Sequence, residues 1–150
     1  MREIIRRARA DDVDWVSATI AAAFGRYIPR IGRKPQPMTV DHAALIAAGE
    51  VHVLDVGGER LGLIVMRAKP DHLYVDILAV LPEAQGRGRG RQLMAFAEAE
   101  ARRLSLPALR LFTNARMTEN RRFYPRLGFR ELGDRTEDGF ERVDFEKRLI

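Results

Sequence analysis

The stretch "LAVLPEAQGRGRGRQLM" (residues 78–94) joins an apolar run to a segment with helical spacing, and three glycines alternate with three arginines at the join. Glycine has no side chain, so it lets backbone N–H groups lie exposed and close to a ligand. The first turn of a helix adds unsatisfied N–H groups and a partial positive charge. These features predict a phosphate site built from the backbone amides of residues 85–91, to which Arg87, Arg89 and Arg91 add charge.

The spacing of the glycines excludes two common nucleotide motifs. The dinucleotide fingerprint needs G-x-G-x-x-G, but the sixth position from Gly86 is Arg91. The G-x-x-x-x-G-K loop, which continues with Ser or Thr, is absent from the stretch as well. The pattern that fits is Q-x-x-G-x-G, filled by Gln85, Gly88 and Gly90. A tight turn without a ligand is the alternative explanation of these glycines.

Length and composition indicate one globular domain that spans residues 1–150. Hydrophobic residues make up 46% of the chain and charged residues 31%, which is typical of a folded protein with a core. The chain has no cysteine, which excludes disulfides and thiolate chemistry, and we expect no metal site. We expect a cytoplasmic protein with no membrane partner, because no signal peptide or membrane-spanning run stands out. The net charge of +5 favours a phosphate-bearing partner.

Apolar periodicity and turn residues predict seven strands and four helices. The strands are expected at residues 2–7, 50–56, 60–68, 72–81, 108–114, 129–134 and 138–149. The helices are expected at residues 11–24, 39–49, 88–104 and 118–127, with Asp11 or Asp12 capping the first and Thr39 the second. A long loop, residues 25–38, separates the first two helices. The strand at 72–81 is nearly all apolar, which predicts a central strand covered on both faces.

A second motif, "TENRRFYPRLGFREL" (residues 118–132), follows after one more predicted strand. It fills the pattern N-x-x-x-Y-x-x-L-G-F with Asn120, Tyr124, Leu127, Gly128 and Phe129. Together the two motifs resemble the signatures of the GCN5-related N-acetyltransferase (GNAT) superfamily. The resemblance implies an α/β (α+β), single-domain GNAT-like fold, with a mixed, mostly antiparallel sheet of about seven strands flanked by about four helices. It also implies an enzyme that transfers an acetyl group from acetyl-CoA to a primary amine by direct attack.

The resemblance implies roles for individual residues. The pyrophosphate of coenzyme A would be held by backbone amides of Gln85, Gly86, Arg87, Gly88, Arg89, Gly90 and Arg91. The backbone of Leu78, Ala79 and Val80 would run beside the pantetheine arm like an added strand. Asn120 would hydrogen-bond that arm, and Tyr124 would act as a general acid towards the departing thiolate. A helix-start role for Asn120 and a core-packing role for Tyr124 remain open.

Amine attack also requires a group that removes a proton, and Asp76 is the candidate base, directly or through water. It lies among apolar neighbours in "LYVDILAV", where burial of a carboxylate is costly unless it is paired. A structural pair with an arginine is the alternative role for Asp76. Pro125 directly follows Tyr124, which predicts a kinked or very short helix there and leaves the position of the hydroxyl open.

The acceptor is expected near the first helix, the loop 25–38 and the last hairpin, where the family usually places its variable pocket. Phe24, Tyr27 and Arg30 are the candidate acceptor-binding residues. The acceptor itself, a small molecule or a peptide with an amine, stays open, and a homodimer is compatible with the sequence.

Two other functions compete: a sensor that binds acyl-CoA without turnover, and a basic nucleic-acid-binding domain. The second is disfavoured because no recognition motif and few aromatic residues accompany the arginines.

Overall fold

The computed structural model describes residues 2–149, which form seven strands and five helices. The strands are β1 (Glu3–Arg7), β2 (Val51–Val56), β3 (Glu59–Ala68), β4 (Leu73–Val80), β5 (Ala108–Asn114), β6 (Arg130–Glu137) and β7 (Phe140–Arg148). The helices are α1 (Val13–Phe24), α2 (Ile28–Ile31), α3 (His42–Ala47), α4 (Arg89–Arg103) and α5 (Thr118–Arg126). Two compact units are distinguished, a first unit of residues 2–66 and 77–96 and a second unit of residues 67–76 and 97–149.

The strands form one mixed sheet in the order β1-β2-β3-β4-β5-β7-β6. β1 with β2, β2 with β3, β5 with β7 and β6 with β7 are antiparallel, whereas β4 and β5 are parallel. Helix α4 connects the two parallel strands, because a parallel pair needs a crossover rather than a hairpin. The predicted mixed sheet of seven strands is therefore confirmed. Four of the helices correspond to the predicted ones, and α2 is a short addition.

The strand that is buried without interruption is β3, in which Gly62 to Met66 are all buried. In β4 the pattern alternates: Leu73, Val75, Ile77 and Ala79 are buried, and the residues between them are half-buried. The predicted central position of this strand is confirmed, because β4 is the fourth of seven strands in the sheet. The prediction of full coverage on both faces is wrong, because one face is only half-buried. The half-buried face of β4 is itself mostly apolar, so the sequence hides the two-residue period of the strand.

Asp12 ties the start of the chain to β3. Its side chain is almost fully buried, with 1% exposed, and accepts hydrogen bonds from Arg6 at 2.8 and 3.1 Å and from Arg60 at 3.0 Å. The backbone N–H of Arg9 donates to the same carboxylate at 2.7 Å. The Arg6 guanidinium therefore holds the pKa of Asp12 well below its usual range, despite burial. Asp12 precedes α1, as predicted, but its carboxylate serves these partners and makes no cap hydrogen bond to α1.

Two further predictions about the first unit need correction. Asp41, not Thr39, caps α3, because the Ala44 N–H donates to the Asp41 carboxylate at 3.0 Å, while the Thr39 hydroxyl donates to the Gln36 carbonyl. The predicted loop 25–38 is largely made of helical turns, which are α2 and the 3₁₀ turns Gly25–Tyr27 and Gln36–Met38. Proline and glycine punctuate these turns and so resemble a loop in the sequence.

Strand β6 lies at one end of the sheet and is almost entirely exposed. Its register against β7 shifts between Glu131 and Gly133, and Gly133 has a φ of +147°. Most of its other side chains are charged. Of the helices between residues 2 and 149, none combines the length and apolar composition that a transmembrane span requires.

Gly62 offers a test of the packing of β3 against the end of β4. A Cβ at this position would lie 2.9 Å from the Ala79 carbonyl oxygen and 3.2 Å from a methyl group of Leu93. We expect Gly62→Ala to destabilise the protein by about 1–3 kcal/mol, because backbone must move to admit the methyl group. The matched control is Gly25→Ala, because Gly25 has a φ of −58° and a Cβ added there would have no neighbouring atom within 4 Å. We expect this substitution to be neutral or slightly stabilising. Urea unfolding of both variants measures the difference, and equal stability would contradict the close approach.

Candidate functional site

The join between β4 and α4 presents bare backbone amides. Gly86 and Gly88 both have a φ of +79°, a conformation that only glycine adopts readily. Within the described chain, the N–H groups of Gly86, Arg87 and Gly88 donate to no carbonyl, and all three residues are exposed. The turn of chain that precedes α4 therefore offers unpaired N–H donors next to the positive end of a fifteen-residue helix.

Gln85 connects this loop to the preceding residues through two hydrogen bonds. Its backbone N–H donates to the Pro82 carbonyl at 3.3 Å, and its side-chain amide donates to the Val80 carbonyl at 3.0 Å. The amide of Gln85 is thus used within the turn, and the amides open to a ligand begin at Gly86. Leu78, Ala79 and Val80 form the end of β4, where Ala79 is buried and its two neighbours are half-buried.

The three arginines of the loop differ in their surroundings. Arg89 donates to the Glu3 carboxylate at 3.1 Å and to Gln92 at 3.0 Å, so its charge is already paired. Hydrogen bonds from Gln92 and Arg89 lower the pKa of Glu3. Arg87 and Arg91 are exposed and contact no acidic group among residues 2–149. These two side chains are the cations of the loop that remain open to an anion.

Asn120 lies in the second unit, near the start of α5. Its amide nitrogen donates to the Thr113 hydroxyl at 3.1 Å and approaches the Met117 sulfur at 3.6 Å. The side-chain oxygen of Asn120 accepts no hydrogen bond from the described residues. Since the amide nitrogen is fixed by β5 and the oxygen is open, Asn120 is oriented to accept one hydrogen bond from a ligand.

Tyr124 lies in an aromatic cluster at the end of α5, with 6% of the residue exposed. Its ring centroid is 5.1 Å from Phe123, 5.7 Å from Phe129 and 5.7 Å from Phe145. This packing fixes the ring and agrees with the core role that the sequence left open. Pro125 lies in the last turn of the nine-residue helix, which ends one residue later at Arg126. The ring and the backbone of Tyr124 are therefore well defined despite the proline.

Asp76 is paired. Its carboxylate accepts a hydrogen bond of 2.7 Å from Arg67 of β3, and 17% of its side chain is exposed. The Arg67 guanidinium also lies 5.6 Å from the centre of the Tyr74 ring. The arginine pair that was the alternative role for Asp76 is therefore present, and it leaves part of the carboxylate accessible.

The candidate acceptor residues lie in the first unit. Phe24 and Tyr27 are buried, with 9% and 3% exposed, and their ring centroids are 6.4 Å apart. Arg26 donates to the Tyr27 hydroxyl at 2.9 Å, and the guanidinium of Arg30 lies 5.0 Å from the centre of the Tyr27 ring. Arg30 is exposed, so of the three candidates it is the one that a ligand reaches most directly.

Sequence reasoning missed two partners of these residues. Thr113 is a buried polar residue of β5 that holds Asn120 in place. Arg67 holds Asp76 from the neighbouring strand β3. Thr113 could have been found from the sequence, because it is a polar residue inside an apolar strand. The pairing of Arg67 with Asp76 could not, because it depends on the register between β3 and β4, which neither strand's sequence determines alone.

Solved structures with the same fold cover almost the whole chain. The PaiA N-acetyltransferase from Thermoplasma acidophilum, in complex with coenzyme A, superposes with a TM-score of 0.82 at 14% identity over 99% of this chain and 100% of its own. Ard1 from Thermoplasma volcanium has a TM-score of 0.78 at 18% identity, covering 100% and 99%. YncA, a putative acetyltransferase from Salmonella typhimurium with acetyl-CoA, has a TM-score of 0.73 at 19% identity, covering 100% and 95%. These likenesses show the fold.

No curated protein sequence matches the chain. The model of the acetyltransferase (GNAT) domain matches residues 47–131, more than half of the sequence. The match includes the glycine-rich join and the motif from Asn120 to Phe129. The chain therefore belongs to the GNAT family of acetyltransferases.

Proposed function

We propose that residues 1–150 form a single acetyl-CoA-dependent N-acetyltransferase domain that acts on the primary amine of a small molecule or peptide. The observation that carries the proposal is the set of bare amides of Gly86, Arg87 and Gly88, which open onto the start of α4 beside two unpaired arginines. This arrangement fits the pyrophosphate of coenzyme A, because it supplies donors and positive charge without a metal. The coenzyme A that accompanies some of the similar structures supports this choice.

Other residues of the chain complete the cofactor site in this proposal. The amides of residues 86–91 and the side chains of Arg87 and Arg91 hold the phosphates. Leu78, Ala79 and Val80 offer backbone groups to the pantetheine arm, and the open oxygen of Asn120 accepts one of its N–H groups. Bound acetyl-CoA supplies an acetyl thioester that an amine can attack.

In this proposal Asp76 is the general base of the acetyl transfer and Tyr124 is the general acid. Asp76 takes the proton that the acceptor amine must lose, directly or through water, while its pair with Arg67 keeps the carboxylate oriented. Tyr124 holds a proton at its hydroxyl for the departing sulfur, and the surrounding aromatic rings fix the direction of that hydroxyl. The exposed guanidinium of Arg30, above Tyr27 and close in sequence to Phe24, helps to bind the acceptor.

The same observations leave a second candidate, a protein that binds acyl-CoA without turnover. It is favoured by the pairing of Asp76 with Arg67 and by the packing of Tyr124 among three phenylalanines, since both residues already have structural roles. Release of free coenzyme A in the presence of a panel of amines separates the two functions. We expect release with at least one amine, and we place the reaction in the cytoplasm.

Gly88→Val tests the phosphate site. A β-branched residue is strained at a φ of +79°, so the loop must change shape and its amides lose their arrangement. We expect the Kd for coenzyme A to rise at least about tenfold, whereas Arg87→Ala removes only a screened charge and raises it about two- to fivefold. The matched control is Gly58→Val, which imposes similar strain at a φ of +87° in the β2–β3 turn and should leave the Kd unchanged. Calorimetry showing wild-type affinity in a folded Gly88→Val protein would refute the loop as the phosphate site.

Tyr124→Phe tests the general acid. The ring stays, so the aromatic cluster and the melting temperature should be preserved. Loss of the proton donor should slow single-turnover acetyl transfer by roughly 10²- to 10⁴-fold if this step is limiting, with no change in coenzyme A affinity. A rate within about threefold of wild type, well below that range, would assign Tyr124 to packing alone.

Asp76→Asn tests the base against the structural pair. The asparagine can still accept a hydrogen bond from Arg67 but cannot take a proton from the amine. A base predicts that kcat/KM falls by roughly 10²-fold or more while the KM for acetyl-CoA stays constant. Arg67→Met is the comparison variant, because it breaks the pair and leaves the carboxylate. If both variants lose the same activity and the same stability, Asp76 acts through the pair and not as a base.

A further inference from the structure

The second unit contains a cavity of about 300 Å³ on the half-exposed face of its strands. This volume lies at the lower end of the range of roughly 300–1,000 Å³ for small-molecule sites. Its lining includes His72, Tyr74, Arg110, Phe112, Leu132 and Arg135. None of them fills a defined position of the two family patterns, although Leu132 is the last residue of the stretch 118–132.

Two aromatic rings form the floor of the cavity. The ring centroids of Tyr74 on β4 and Phe112 on β5 are 6.1 Å apart and the planes are inclined by 37°. The guanidinium groups of Arg142 and Arg135 lie 4.2 and 5.3 Å from the centre of the Phe112 ring, so this ring already contacts two cations. The charge of Arg135 is balanced by Asp144 at 2.7 Å. A floor of this kind favours a flat apolar group, because rings stack on rings and on guanidinium planes.

Three polar side chains that line the cavity have hydrogen-bonding atoms without a partner in the described chain. Arg110 uses its Nε to bind Glu146 at 2.7 Å, and its two terminal nitrogens bind no other described residue. The Tyr74 hydroxyl makes no hydrogen bond within residues 2–149, and burial raises its pKa, so it keeps its proton. The His72 Nδ1 contacts Asp71 at 2.8 Å, which leaves Nε2 for a ligand. Tyr74 and Arg110 are register partners on the paired strands β4 and β5, and a guanidinium and a hydroxyl donor are each suited to a carboxylate.

The candidate base does not line the cavity, but it is close in sequence to a residue that does. Tyr74 and Asp76 are two residues apart on β4, so their side chains leave the same face of the strand. Burial raises the pKa of Tyr74, and the negative charge of Asp76 raises it further. A molecule seated on the Tyr74 ring can therefore present an amine towards Asp76.

We propose that this cavity, in preference to the region of Phe24, Tyr27 and Arg30, binds the acceptor, and that the acceptor is an amine that carries one flat aromatic ring and a carboxylate. The ring lies on Tyr74 and Phe112, the carboxylate meets Arg110 and the Tyr74 hydroxyl, and the amine points towards Asp76. The role as acceptor rests on the proposed acetyltransferase function, whereas binding to the cavity does not.

The test is calorimetry on the full chain saturated with coenzyme A, so that no turnover occurs. Phenylalanine is the probe that carries all three groups, norleucine lacks the ring, and phenethylamine lacks the carboxylate. We expect phenylalanine to bind about tenfold more tightly than phenethylamine, because phenethylamine lacks the carboxylate and its charge-assisted contact. We expect phenylalanine to bind at least about threefold more tightly than norleucine, because norleucine lacks the ring. Tyr74→Phe, which keeps the ring, should weaken phenylalanine binding about fivefold.

Leu132→Trp is the blocking variant, because this leucine is 48% exposed and a larger side chain there narrows the cavity without entering the core. The matched control is Leu104→Trp, at a leucine that is 41% exposed and lies outside the lining residues. We expect Leu132→Trp to abolish phenylalanine binding and Leu104→Trp to leave it unchanged. Coenzyme A affinity, measured on the same samples, should stay constant in both.

The outcomes separate the two proposals. Equal binding of phenylalanine and norleucine, no binding of any probe, or wild-type binding by Leu132→Trp would overturn the assignment of the cavity, even if other amines are acetylated. Tight phenylalanine binding that Leu132→Trp removes supports the assignment. If that binding occurs but no amine in the panel releases free coenzyme A from acetyl-CoA, the proposed function fails and the ligand class of the cavity stands.

Discussion

The site depends on a short piece of backbone that only glycine follows with ease. At Gly86 and Gly88 the chain takes a φ of +79° between the end of β4 and the start of α4, and the N–H groups of residues 86–88 donate to no described carbonyl. Both sides of the turn are anchored, by buried Ala84 before it and by buried Leu93 after it. Because the anchors are apolar and the turn is polar, the loop holds its shape before any ligand arrives, and little ordering cost is left for binding.

Arginine has two different uses in this protein. Several arginines of the second unit are matched to carboxylates, as in the pairs Arg67–Asp76, Arg110–Glu146 and Arg135–Asp144. Such pairs orient side chains and add little net positive potential. Arg87 and Arg91 have no such partner in the described chain, so the excess charge is available where phosphate is expected. A net charge of +5 therefore points to a local anion site more than to a broad surface for nucleic acid.

The sequence was sufficient for the element order, the seven-stranded sheet and the family, since apolar periods and two spaced motifs carry that information. It was not sufficient for contacts that join distant elements. The aspartate before α1 looked like a cap, but Arg6 and Arg60 reach it from two strands. An arginine partner for Asp76 was one of the two expected roles, but the sequence did not identify Arg67 of β3 as that partner. The cavity over Tyr74 and Phe112 was invisible because apolar residues on the half-exposed face of β4 look like core. In each case the missing information was the register between strands, which the turns and the buried face determine together.

The exposed strand β6 has a consequence for the behaviour of the protein at high concentration. An open strand at the end of a sheet offers unpaired N–H and C=O groups to any other extended chain, which is a common start of aggregation. Here the register shift and Gly133 bend the strand, and its charged residues Arg130, Glu131, Asp134 and Arg135 would have to be brought against a second strand. The irregular shape of the edge and the cost of desolvating its charged side chains therefore oppose strand addition, and self-association by edge pairing is disfavoured even though the strand is open to solvent.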